Sequence, residues 1–142
     1  MTKLPPIEKV YEAWTALADN RVLPIPDGAT VESSDGAKNY IVKFRDNEYS
    51  STDNATFWRG YAGYPVIALL MLQGKLPYDK EEAALWSDIN WTALNKKHRN
   101  NYAAAVEEIE KERGINGATS KEAAEKVMEA LSELPLVIKR KI

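Results

Sequence analysis

Near the N-terminus the apolar residues Ile7, Val10, Tyr11, Trp14, Leu17 and Ala18 recur at intervals of three, one, three, three and one. That spacing predicts an amphipathic helix, which Pro5-Pro6 is suited to start and Asp19-Asn20 to end. The pattern then changes. Val22-Leu-Pro-Ile-Pro26 predicts an extended connector, because two prolines exclude a helix or a central strand. Asp27-Gly28 and Asp35-Gly36 are turn signals on either side of residues 29–34. Tyr40, Val42 and Phe44 then alternate with Ile41, Lys43 and Arg45, as a half-buried strand does. A turn at Asp46-Asn47 leads to a second short strand, Glu48-Tyr-Ser50.

Residues 54–65 hold four aromatics and two glycines and follow neither period, which predicts a loop. An apolar helix is expected over about 64–73, ended by Gly74. Asp79-x-x-Glu82 is a capping box for a short helix through Trp86. The longest predicted helix runs from about Asn90 to Gly114, with Trp91, Leu94, His98, Tyr102, Ala105, Ile109 and Arg113 in one stripe. Thr119-x-x-Glu122 is a second capping box, opening a helix whose inner face is Ala123, Val127, Ala130, Leu131 and Leu134. Pro135 closes it, and Leu136-Val-Ile138 with Lys139-Arg-Lys141 forms an extended basic tail. The fold class is therefore α+β: a small antiparallel sheet, a hairpin or three strands, packed against about five helices. No repeat or linker divides the chain, which predicts a single domain over residues 1–142.

Composition adds limits. With 44% hydrophobic residues, 28% charged residues and a net charge of -2, a chain of 142 residues can bury a substantial core. The near-neutral balance argues against a protein that coats nucleic acid or anionic membrane over its whole surface, while leaving room for a local basic patch. There are no cysteines, so disulfides, thiolate zinc sites and cysteine nucleophiles are excluded. The N-terminal residues lack the apolar core of a signal peptide, and the longest apolar run, Val66 to Leu72, falls far short of the ~20 residues of a spanning helix, which predicts a cytoplasmic protein with no membrane partner.

The order strand, turn, strand, aromatic loop and apolar helix over residues 29–74 resembles a SWIM-type zinc finger. The resemblance rests on the hairpin, on Tyr49-Ser-Ser-Thr-Asp53 in place of Y-S-C-T-C, on Arg59-Gly60 and on the helix start Val66-Ile-Ala-Leu. The four metal ligands of such a finger would fall on Ser51, Asp53, Gly63 and Pro65. Two of these carry no donor side chain, so the resemblance implies a scaffold without zinc and without a cofactor. Tyr49, Phe57, Trp58, Tyr61 and Tyr64 are available to supply the core that a metal would otherwise organise.

Among other candidate groups, His98 is the sole histidine and lies within Lys96-Lys-His-Arg99. With Asp53 it could form an acid–base pair, the basis of a rival expectation of a small enzyme. Packing at the rim of the helix stripe is the simpler role. Lys96, Lys97 and Arg99 at the start of the long predicted helix, with Arg59 beside Trp58, Tyr61 and Tyr64, suit phosphate contacts plus base stacking. Glu107, Glu108, Glu110 and Glu112 spread around the same helix and read as surface pairs. The function this supports is a non-catalytic module that binds protein or nucleic acid through Trp58, Arg59, Tyr61, Tyr64, Lys96, Lys97 and Arg99. A structural homodimer joined along the long helix is a further alternative.

Overall fold

The computed structural model describes residues 3–142. Among them the chain forms seven helices and one five-stranded sheet, an α+β fold. Helix α1 (Glu8–Ala18) follows the two prolines as its spacing predicts, and residues 9–17 are all buried. The next segment is not a connector but a strand, β1 (Val22–Ile25), antiparallel to β2 (Gly28–Glu32). The prolines are tolerated because β1 lies at the sheet edge, where an absent N–H interrupts no ladder on its free side. At Gly28 a side chain would collide with the next strand, since a Cβ would sit 1.8 Å from the Val42 carbonyl oxygen.

Strands β3 (Asn39–Arg45) and β4 (Glu48–Ser51) form the predicted hairpin around Asp46-Asn47. Asp46 takes the left-handed conformation (φ 55°), which a short polar side chain tolerates in such a turn. Tyr40, Val42 and Phe44 face the core, while Ile41 and Arg45 face outward. The sheet is larger than a hairpin or three strands, and it is mixed rather than wholly antiparallel. The basic tail contributes β5 (Val137–Ile138), which pairs parallel with β4 through hydrogen bonds from Val137 N to Asn47 O and from Lys139 N to Tyr49 O.

Residues 54–65 contain a helix where a loop was predicted. Helix α2 (Asn54–Arg59) starts at Asp53, whose side chain accepts from Thr56 N, and ends at Gly60 in the left-handed conformation. Helix α3 (Tyr64–Leu72) is apolar all round and buried on nearly every side, as such a helix must be. It lies between the sheet and α1, contacting β1 to β4 on one side and α1 on the other. Helix α4 (Lys80–Leu85) carries the predicted Asp79 cap, although Glu82 reaches Ser120 Oγ rather than closing a capping box.

The long predicted helix is broken in two. Helix α5 (Trp91–Lys97) ends at His98, and α6 (Tyr102–Arg113) starts from Asn101, whose side chain accepts from Ala104 N. Between them Arg99 and Asn100 are left-handed (φ 54° and 63°). The two short helices pack against each other, and α6 packs on α1, so the continuous helix proposed for dimerisation is absent. Helix α7 (Gly117–Glu133) opens three residues earlier than its capping box suggested, because Asn116 caps the N–H groups of Ala118 and Thr119. Its inner face includes Val127 and Leu131 as expected, and Ala124, which is fully buried.

Two buried polar networks tie the helices together. Trp91 Nε1 donates to Thr15 Oγ1 at 2.8 Å, and that hydroxyl faces the carbonyl oxygens of Trp86 and Tyr11 at 2.5 and 3.2 Å. Trp86 Nε1 donates to Ser120 Oγ at 3.3 Å, and Ser120 donates to Glu82. Around them Tyr11, Trp14, Trp86 and Trp91 stack in a chain of edge and offset contacts.

Candidate binding groove

The groove is built outward from one carboxylate. Asp53 is buried at the end of β4, and its oxygens accept from Ser51 Oγ, from Thr56 N at 3.0 Å and from Thr56 Oγ1 at 3.1 Å. Thr56 Oγ1 accepts in turn from Gly63 N at 2.9 Å. Three of the four positions where the resemblance puts metal ligands, Ser51, Asp53 and Gly63, therefore meet in one hydrogen-bonded knot. The fourth, Pro65, is buried two residues further on, in the first turn of α3. Gly63 is required for closure. A Cβ there would lie 2.2 Å from Asp53 Oδ2. Among the described residues no group of three His, Cys, Asp or Glu side chains could hold a metal ion.

The knot fixes α2, and α2 displays Trp58 and Arg59. Trp58 is 65% exposed, so it belongs to the surface and not to the substitute core, whereas Tyr49 is 1% exposed and fully inside. Its indole meets Phe57 edge-on at 4.7 Å, and the Arg140 guanidinium of the tail lies 5.3 Å from its centroid. Below it runs a groove of about 900 Å³ whose walls include Trp58, Arg59, Tyr61, Tyr102, Lys3 and Lys9. No carboxylate lines this groove among the described residues. Lys3, Arg59 and Arg140 form no ion pair among the described residues. A chain of net charge -2 has thus concentrated free cations and aromatic faces in one place.

The other expected site residues lie elsewhere. Tyr64 packs edge-on to Tyr40 at 6.3 Å, and burial pushes its hydroxyl well above the usual tyrosine range. Lys97 pairs with Glu108, and His98 Nε2 lies 3.0 Å from the same carboxylate oxygen. These two contacts hold the Glu108 carboxyl below its ordinary value. Lys96, Lys97 and Arg99 do not line the groove, although Asn100 of the same turn does. Lys96 and Lys97 occupy the last turn of α5, not the first turn of a long helix, so the helix dipole favours them there. Asp53 and His98 each hydrogen-bond to other partners and not to one another.

Sequence reasoning missed what lies beside the groove. Lys9 Nζ rests 4.6 Å from the Tyr102 ring and 3.2 Å from Glu12 Oε2, and both residues are buried. Burial raises the Glu12 carboxyl above its ordinary value, against the pull of Lys9. Burial alone would lower Lys9, but Glu12 together with Tyr102 and Tyr61 outweighs it and the ammonium is raised. Glu12, Asp53, Tyr40, Tyr64 and Asn95 surround a polar cleft of about 150 Å³ that shares Lys9, Asn54 and Ala55 with the groove.

Fold and site together define a class: an α+β domain with a recessed aromatic groove carrying positive charge and no acid. The chain belongs to the family described as Uncharacterised conserved protein UCP014422, which it matches over residues 2–137. No curated protein and no solved structure matches the chain. Among the described residues no helix is long and apolar enough to cross a membrane.

Proposed function

We propose that this protein is a non-catalytic binding module whose groove takes single-stranded nucleic acid. One observation carries the proposal: Trp58, Tyr61 and Tyr102 share a groove with Lys3, Lys9 and Arg59, and no carboxylate enters it. The exposed Trp58 face accepts a base of any sequence, and Lys3 and Arg59, which form no ion pair among the described residues, accept the neighbouring phosphates. Arg140, stacked against Trp58, extends the cationic track. The segment over residues 29–74 is a zinc-less SWIM-like scaffold on this proposal, with the Asp53 knot in place of a metal. The meeting of Ser51, Asp53 and Gly63 supports that part.

A protein partner is the second reading. It is favoured by a neighbouring apolar cleft of about 700 Å³ between the end of α7 and β5, which shares Lys3 and Leu4 with the groove. An enzyme built on Asp53 and His98 finds no support, since neither side chain hydrogen-bonds to the other.

Tryptophan fluorescence tests the proposal directly, because Trp14, Trp86 and Trp91 are at most 3% exposed and Trp58 alone faces solvent. A short oligodeoxynucleotide is expected to quench Trp58. Three phosphate contacts, at Lys3, Arg59 and Arg140, give a log–log salt slope of about -2 for a single strand. Trp58→Ala should weaken binding by about 1–3 kcal/mol. Arg59→Ala should reduce the slope by about 0.7. Absence of binding at low salt, or a slope near zero, overturns the nucleic-acid proposal in favour of a protein partner.

A further inference from the structure

We infer that the polar cleft beside the groove is a reading pocket for a single guanine base, an inference that rests on the groove binding single-stranded nucleic acid. The cleft is walled by side chains that a purely structural core has little reason to bury. Lys9 is 9% exposed, Glu12 7% and Asp53 5%. Asp53 is accounted for by its knot. Glu12 is not. Its sole partner among the described residues is Lys9, on Oε2, and no hydrogen bond reaches Oε1. A carboxylate has about four acceptor sites, and Oε1 is not among the fully buried side-chain atoms that lack a partner, so it remains open to a ligand rather than sealed in the core. The Tyr40 hydroxyl and the Asn95 side-chain amide line the same cleft, also without hydrogen bonds among the described residues.

The free groups specify what would satisfy them. An ammonium and a carboxylate 3.2 Å apart present a donor next to an acceptor. The Watson–Crick edge of guanine offers the complement in one plane, the O6 acceptor followed by the N1–H and N2–H donors. Lys9 would meet O6, and Glu12 Oε1 would take the adjacent N–H groups. Adenine lacks an acceptor in the O6 position, and cytosine and thymine each carry one donor where guanine has two. Space permits this, because a cavity of about 150 Å³ admits a six-membered aromatic ring. The route is short. Lys9, Asn54 and Ala55 border both spaces, so a base turned out of the stack on Trp58 or Tyr61 enters the cleft beside Lys9.

The test uses the whole protein and nine-residue oligodeoxythymidylates whose central base is replaced by guanine, hypoxanthine, adenine or cytosine. Guanine should tighten binding about five- to a hundred-fold over the all-thymine strand. Hypoxanthine, which keeps O6 and N1–H but lacks the N2 amine, should fall between guanine and adenine. Glu12→Gln should abolish the guanine preference, read as the ratio of that variant's affinities for the guanine and all-thymine strands. The hypoxanthine series gives the same answer should that variant fold poorly. Equal affinity for all strands, with the salt slope intact, overturns the reading pocket and leaves the groove standing. Failure of every strand to bind overturns both.

Discussion

Removing the Asp53 carboxylate tests whether the knot holds the groove together. In Asp53→Ala, α2 loses its N-cap acceptor, which costs about 1 kcal/mol for a typical cap. The hydroxyls of Ser51 and Thr56, 3% and 1% exposed as residues, lose their acceptor, and each costs about 1 kcal/mol or more when left unpaired. The total is about 3 kcal/mol, a large part of the ~5–15 kcal/mol that stabilises a typical domain. Gly63→Ala attacks the same knot from the opposite side. Its Cβ would stand 2.2 Å from Asp53 Oδ2 and 2.9 Å from Thr56 Oγ1, an overpacking worth about 1–3 kcal/mol. Because the glycine's φ is -71°, this cost is steric and carries no backbone strain. In the double variant the carboxylate is gone, and most of the room the new methyl needs has been vacated. Urea denaturation of the wild type, both single variants and the double variant should therefore show a double cost below the sum of the singles by about 1 kcal/mol or more. Additivity within about 0.5 kcal/mol, or an Asp53→Ala cost below about 1 kcal/mol, would refute the knot as the element that positions α2.

Three further outcomes are expected. Protein purified without chelator should contain less than stoichiometric zinc by elemental analysis, and EDTA should leave its melting temperature unchanged, since Gly63 and Pro65 offer a metal no side-chain donor. Glu108, held below its ordinary value by Lys97 and His98, contributes stability that is full above the unfolded carboxylate value and lost as pH falls through the folded one. Urea midpoints of Glu108→Gln and wild type should hence differ near neutrality and converge in acid. For the buried pair, Glu12→Leu alone should cost about 3–5 kcal/mol by stranding Lys9, whereas Lys9→Met with Glu12→Leu should fold with stability near wild type or above it. A double variant as damaged as the single would show that the pair is structural.

Most of the fold was legible wherever a local pattern and its tertiary surroundings asked for the same thing. Helix α1, the β3–β4 hairpin and α3 are such places, each carrying its period, its turn residues and its stop signal. The failures have identifiable causes. Leu94, His98 and Tyr102 keep helical spacing across the α5–α6 break, so the stripe concealed a turn that Asn100 and Asn101 signal, one favouring left-handed backbone and the other an N-cap. Helix α2 is only six residues long, too short to show a period, and its Asp53 cap was the available clue. Strand β1 was hidden by prolines that an edge tolerates. Strand β5 depends on pairing with a hairpin some ninety positions earlier in the chain, which no local pattern reveals. Of the residues singled out from composition, Trp58, Arg59 and Tyr61 do share one groove, whereas Lys96, Lys97 and Arg99 were grouped with them by charge alone and lie outside it.

Lys9 and Glu12 were invisible for a different reason, and it bears on what they are for. They sit at the polar positions of an amphipathic pattern, which ordinarily means solvent, yet α3, α4, α6 and α7 all pack on α1 and leave residues 9–17 buried. Thr15, the other inward polar residue of that face, is fully used by the Trp91 indole and the Trp86 and Tyr11 carbonyls. Asp53 is fully used by Ser51 and Thr56. A buried ion pair offers little net stability over apolar residues of similar size, because desolvation consumes most of its attraction. Lys9 and Glu12 therefore stand apart as charges whose presence neither capping nor core packing explains. They also lie where the acid-free aromatic groove meets the polar cleft, with Lys9 lining both and Glu12 lining the cleft. On the proposed reading of the groove and cleft, binding is the reason that α1 keeps them.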